Sequence, residues 1–202
     1  MVSACSVLSR PEIARTKWLR LIQLEYSCGN DQRSWDAVER VHNGTGEASS
    51  QAVVISALLK SAGRPVDTLL VKQWRPPVNN FTIEFPAGLI DPGESVEEAA
   101  VRELKEETGY TVSRVLSISD PLPLSPGLTN ECARLVTVEV DADAAINQNP
   151  TQSLEPSEDI DVLRVPLLTL GKTLAELAKQ GDLVFSGVYS VAHGIQLASN
   201  LN

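Results

Sequence analysis

The chain has 202 residues, of which 43% are hydrophobic and 21% charged, with a formal net charge of −9. That length fits one domain with an appended element, and the composition is ordinary for a soluble globule. The acidic balance argues against a general nucleic-acid or anionic-membrane binder, because either needs a basic face, and no apolar run approaches the roughly 18 residues of a membrane span.

Three separated cysteines, Cys5, Cys28 and Cys132, form no recognisable framework. They lead us to expect free thiols in a reducing compartment, the cytoplasm first. The first ten residues, MVSACSVLSR, are too short and polar for a secretory signal. They are acid-free and Ser-rich, which leaves a nuclear or mitochondrial destination open.

In chain order, residues 17–25 and 34–41 alternate in polarity as strands do, and Gly29-Asn30-Asp31 between them predicts a hairpin. Two strands alone are marginal, so this arm must pack on the main domain or on a second subunit. Residues 43–50, NGTGEASS, read as a flexible joint. We therefore divide the chain into an arm, 1–46, and a main domain, 47–202. Residues 51–59, 68–74 and 81–85 read as strands, the second of them ended by Pro76 and Pro77. After one short helix, 110–118 and 133–140 are strands joined by the long loop 120–131, and the polar stretch 143–159 is expected to be a mobile loop. A strand at 160–167 and amphipathic helices at 172–180 and 187–199 complete the chain. Strands and helices mix without regular βαβ alternation, which fits an α+β layered sandwich.

The most informative stretch is GLIDPGESVEEAAVRELKEETGY, Gly88 to Tyr110. Ser95 with Glu98 forms a capping box, Gly109 sits where a helix end needs positive φ, and Ala99, Ala100, Val101 and Leu104 supply an apolar stripe. Glu103 and Glu107 are spaced i,i+4 and Glu106 lies i+3 from Glu103, so three carboxylates crowd one face. Glu106 and Glu107 also fall in the last turn, where the helix dipole disfavours negative charge. A solvated charged face would explain a run of Glu, but it has no need of Gly88, Glu94 and Arg102 in this register. Oxygen-only ligands of this kind suit Mg²⁺ first and Mn²⁺ second.

The spacing of Gly88, Glu94, Arg102-Glu103-Leu104, Glu106-Glu107 and Gly109-Tyr110 resembles the Nudix box, Gx5Ex7REUxEExGU, at every position. The segment 69–91 ahead of it, and SPGLTNE at 125–131 and EDIDVLRVP at 158–166 after it, are similar to the ADP-ribose and ADP-sugar diphosphatases. Trp18, the Arg-x-Trp ending at Trp35, and Arg40 resemble that subfamily's swapped dimer arm. The C-terminal helices match loosely, and residues 60–66 and 142–157 follow no family pattern. The resemblance implies a Nudix-type α/β/α sandwich with a mixed sheet plus a β-hairpin arm. It also implies Mg²⁺-dependent cleavage of ADP-ribose to AMP and ribose 5-phosphate, in a homodimer.

Glu103 and Glu107 are then the first metal ligands, with Glu106 for a further ion and the Ala87 backbone carbonyl completing the shell. Arg102 and Glu94 hold these carboxylates in place. Glu158 matches the family's loop glutamate and is the candidate base, with Asp159 and Asp161 as neighbours. Closure of its loop would gate the reaction. Arg75 is a phosphate ligand or a structural ion pair, and Arg40 is similar. Trp18 and Trp35 would stack on adenine or pack their own hairpin. Leu89 lines the pocket through its backbone, Trp74 packs a strand end, and His42 and His193 are structural. Two other readings stay open: a hydrolase of another nucleoside diphosphate derivative, and a module that binds ADP-ribose without cleaving it.

Overall fold

The computed structural model describes residues 4–41 and 52–201. The chain divides into two compact units. The first joins the described residues before 52 to Pro121–Ala133, and the second comprises Ala52–Asp120 and Arg134 onward. The predicted boundary at 46/47, the joint at 43–50 and His42 lie outside the described residues.

In the first unit, β1 (Cys5–Ser9), β2 (Glu12–Arg15), β3 (Leu19–Cys28) and β4 (Asp31–Arg40) form one antiparallel sheet. The hairpin is longer than expected. Gly29, at φ 63°, turns the chain in two residues, so pairing runs from Cys28↔Asp31 to Leu19↔Arg40. β1 and β2 lie end to end along the free edge of β3. Register places Cys5 opposite Cys28, and the two are disulfide-bonded. This corrects the expectation of unpaired thiols, and it removes the ground for inferring a reducing compartment. Cys132 is free and buried. On β4, Glu39 is 3% exposed and is held by Arg10 at 3.0 Å and by Arg20 Nε at 2.9 Å. A buried carboxylate needs such partners. The loop 125–129 runs beside β4: Val38 N–H donates to the Leu128 carbonyl at 2.8 Å, and Trp35 Nε1 donates to the Gly127 carbonyl at 3.1 Å.

The second unit is built on a mixed sheet whose strands are β5 (Ala52–Lys60), β6 (Asp67–Arg75), β7 (Asn80–Glu84) and β8 (Ala87–Leu89), followed after α1 (Val96–Thr108) by β9 (Arg114–Ile118). A two-residue strand, β10 (Leu122–Pro123), belongs to the first unit; β11 (Cys132–Asp141), β12 (Ile160–Pro166), α2 (Leu170–Lys179), β13 (Leu183–Val184) and α3 (Ser186–Leu201) follow. The path runs β11-β5-β6-β7-β13, with β8 beside β5, β12 beside β6 and β9 beside β11. The β13–β7 pairing is parallel. Helix α1 packs on one face through Ala99, Ala100 and Leu104, against Val53, Ile55, Leu69 and Val138. Helices α2 and α3 pack on the other through Leu170, Leu174 and Val188, against Leu70, Ile83 and Phe85. Adjacent Leu69 and Leu70 serve opposite cores because a strand's side chains alternate. The expected α/β/α sandwich with a mixed sheet is therefore present.

Two expectations need correction. Val101 is 37% exposed and lies outside the apolar stripe. The stretch expected as a mobile loop is tied down by its polar side chains. Asn147, 4% exposed, accepts from Thr111 N–H at 2.7 Å and donates to the carbonyls of Thr111 and Asp141.

Candidate active site

The site forms at the C-terminal end of α1, and its local sequence explains why the helix ends there. Ser95 accepts from Glu98 N–H and Glu98 returns a bond to Ser95 N–H, so the capping box fixes the start. At the end, Gly109 adopts φ 76° and donates its N–H to the Lys105 carbonyl at 2.9 Å. Lys105 Nζ donates to the Gly109 carbonyl at 2.7 Å, placing a cation on the negative helix end.

Glu107 is 5% exposed, and its Oε2 accepts from Ala87 N–H at 3.0 Å. This brings the Ala87 backbone to the carboxylate cluster. Burial pushes the Glu107 carboxyl up to about 8, with the charges of Glu103 and Glu158 adding to the rise. Burial also raises the Glu103 carboxyl, against the opposing hydrogen bond from Arg102. Gly88 lies against Glu103, and a methyl group there would overlap the Glu103 carboxylate. A side chain at position 88 would therefore oblige the Glu103 carboxylate to move.

Arg102 is the hub of the cluster. Its Nε and Nη2 bind Glu94 at 2.8 and 2.9 Å, Nη2 binds the Leu89 carbonyl at 2.9 Å, and Nη1 binds Glu103 at 2.7 Å and Glu106 at 3.0 Å. The Arg102 hydrogen bonds hold the Glu94 carboxyl down at about 2. The Leu89 carbonyl is taken by Arg102. Glu106 is the most exposed of the three helix carboxylates at 40%.

The charge of Glu158 reaches Glu103, Glu107 and Arg75. Its backbone N–H donates to the Glu155 carbonyl at 3.0 Å, and its Oε2 accepts from Glu155 N–H at 2.9 Å. Arg75 is held by Glu84 through Nε at 2.8 Å and Nη2 at 2.9 Å, a fork-to-fork contact that fixes the guanidinium plane. Burial works to raise the Glu84 carboxyl, and hydrogen bonds from Arg75 and Thr82 outweigh it. Sequence reasoning overlooked Glu84. Its place two residues before Pro86, on the strand paired with that of Arg75, was the available signal.

Trp18, Trp35 and Arg40 lie in the first unit. Trp18 is 66% exposed and Trp35 50% exposed. They do not meet. The Trp18 carbonyl accepts from Val41 N–H, while Trp35 pairs with Leu24. Six residues of strand separate the two positions, about 20 Å at the usual rise. Arg40 Nε is bound to Glu131 at 2.7 Å. Trp74 makes an edge contact with Phe81, and His193 stacks on Tyr189.

Among the described residues, no three acidic, imidazole or thiol side chains close into a ready coordination cage. The donor set still fits a hard divalent ion. Glu103 and Glu107 are oxygen ligands, both are disfavoured as free anions by burial, and Mg²⁺ needs only one or two carboxylates beside its waters and the substrate's phosphates.

Comparison with known proteins shows the family. Residues 49–182 match the NUDIX domain, and the chain belongs to that family. It is 39% identical over 188 residues to an ADP-ribose pyrophosphatase of Saccharomyces cerevisiae, covering 93% of this chain and 80% of that protein. It is 35% identical over 193 residues to an ADP-sugar pyrophosphatase of Mus musculus, covering 95% and 86%. A crystal structure of an ADP compounds hydrolase shares the fold with a TM-score of 0.64 at 20% identity, covering 87% of this chain and 85% of that one.

Gly88→Ala is expected to leave the fold intact but to drive the Glu103 carboxylate off its place. Divalent-ion affinity, read by calorimetry on the folded variant, should fall by about 10–100-fold. Unchanged affinity would mean that Glu103 is not a ligand where it stands.

Proposed function

We propose that this protein hydrolyses the pyrophosphate bond of ADP-ribose and related ADP-sugars, with Mg²⁺ as its working cation and Mn²⁺ as a substitute, to give AMP and ribose 5-phosphate. The observation that carries the reading is the buried Glu107 at the helix end, grouped with half-buried Glu103 and Glu158 and with the exposed guanidinium of Arg75. The yeast ADP-ribose pyrophosphatase, similar over 93% of the chain, supports the choice of substrate.

Glu103, Glu107 and the Ala87 backbone would hold the first ion, with Glu106 at hand for another. When bound, the metal neutralises the phosphates and lowers the pKa of a water. The protein's own groups do the rest. Arg75 presents the guanidinium corner that Glu84 leaves over, Nη1, to a phosphate oxygen. Glu158 accepts the proton of the attacking water, on a carboxylate already oriented by Glu155. Water forms one P–O bond, the bridging P–O bond breaks, and the leaving phosphate departs on its nucleotide or sugar.

Trp18 and Trp35 serve adenine. At about 20 Å apart along one hairpin, they cannot flank the same base within one chain. A homodimer supplies the second face, with Trp18 of one protomer set against Trp35 of its partner. The exposed apolar residues of the arm, among them Val7, Leu8, Ile13 and Leu19, support such a cover. Light scattering should then give twice the 21.8 kDa chain mass. A fully active monomer would remove the dimer from the account.

A panel of ADP-ribose, other ADP-sugars, flavin dinucleotide and dinucleoside polyphosphates, scored by release of AMP, tests the substrate. ADP-ribose should be cleaved best, and Glu103→Gln should lose turnover by orders of magnitude while still folding. A wild-type protein that binds ADP-ribose and never cleaves it would favour the binding-module reading.

A further inference from the structure

Part of the stretch 142–157 closes on the very helix end that carries the carboxylates. Three observations meet there. The Gln152 carboxamide uses both hydrogens of Nε2, donating to the Glu107 carbonyl at 2.7 Å and to the Ile160 carbonyl at 2.9 Å. Ser153 N–H donates to the Glu106 carbonyl at 2.8 Å. The backbone of Pro150 and Thr151 occupies the space that a side chain at Gly109 would need. The last carbonyls of a helix have no intrahelical donor, and here the incoming loop supplies two.

From these contacts we infer that Gln152 is the positioning residue for Glu158. The segment that bears Glu158 leaves the helix end at Ser153 and enters β12 at Ile160, where it pairs with Gln73. One amide ties both of its ends, because it grips Glu107 on the helix and Ile160 on the strand. The Glu155–Glu158 turn between them has little slack. The place of the Glu158 carboxylate relative to Glu107 is therefore set by Gln152, rather than by closure of a free lid. Gln152 touches neither substrate nor metal in this account; it acts through Glu158. The inference rests on the reading of Glu158 as the group that takes the water's proton.

The test is a double-mutant cycle on ADP-ribose hydrolysis at saturating Mg²⁺, with wild type, Gln152→Ala, Glu158→Gln and the double variant, each checked for folding by its melting temperature. Gln152→Ala should lower kcat by about 10–100-fold, the cost of misplacing a reacting group by about an ångström, with KM within about threefold. The double variant should be no slower than Glu158→Gln alone, because two residues serving one step do not add. Gln152→Leu keeps the volume without the donors and stands in if the alanine variant does not fold. Slow Glu158→Gln beside wild-type turnover in Gln152→Ala would overturn the inference alone, as would losses that multiply in the double variant. Failure of both Gln152 variants to fold would assign the amide to the fold and overturn it too. Full turnover by Glu158→Gln would remove the reading of Glu158, and the inference with it.

Discussion

The repulsion among carboxylates at the end of α1 is the constraint on which the second unit depends. Two like charges about 4 Å apart, at an effective dielectric near 20, repel by about 4 kcal/mol, while an ordinary hydrogen bond returns about 1 kcal/mol net. Hydrogen bonds alone do not offset a cluster of this kind. Glu107 shows how such a site behaves: burial first, and then the charges of Glu103 and Glu158, raise its carboxyl to about 8. Such a group takes up a proton or a cation near neutral pH. The surrounding residues keep the carboxylates together in spite of that cost. Gly88 clears space for Glu103, Arg102 spans Glu94, Glu103 and Glu106, and Ala87 N–H fixes Glu107.

The fold supplies the stiffness this arrangement needs. Helix α1 is seated on the sheet by Ala99, Ala100 and Leu104, all fully buried. Its carboxylates therefore cannot relax apart by moving the helix. Arg75 and Glu84 lie on neighbouring strands, opposite Asn80 and Val71 respectively, and their two side-chain hydrogen bonds lock the guanidinium. The side chain that approaches from the far end of the chain, Glu158, arrives on a segment whose ends are pinned. A site with rigid walls and a mutually repelling lining is one in which a bound divalent ion and a phosphate chain replace unfavourable contacts by favourable ones.

Much of this was legible in the sequence, for physical reasons that differ by element. Ser95, Glu98 and Gly109 are local signals whose geometry is settled within a few residues, so α1 was read nearly to its ends. The strands at 52–60 and 67–75 are apolar on both faces and announced themselves. β1 and β2 were missed because CSVLS and EIAR lie along an exposed edge, where no buried face imposes alternation. The Cys5–Cys28 bridge was missed because it depends on the register of two strands. The stretch 143–159 was read as mobile because Asn147, Gln152 and Ser153 are polar, and polar residues usually face water. Here they stand in for missing backbone partners. Only the long-range fold, which brings the chain back to Gly109, makes that role visible.

The central claim is that metal binding relieves charge crowding on Glu107 and its neighbours. It is tested most directly by calorimetric titration of Mg²⁺ into the protein, with a non-cleavable ADP-ribose analogue present, at pH 7 in two buffers of different ionisation enthalpy. With a carboxyl lying at about 8 in the metal-free protein, the account predicts ion uptake accompanied by release of protons, seen as a heat that changes with the buffer. No uptake of the ion, or uptake with the same heat in both buffers, would contradict it.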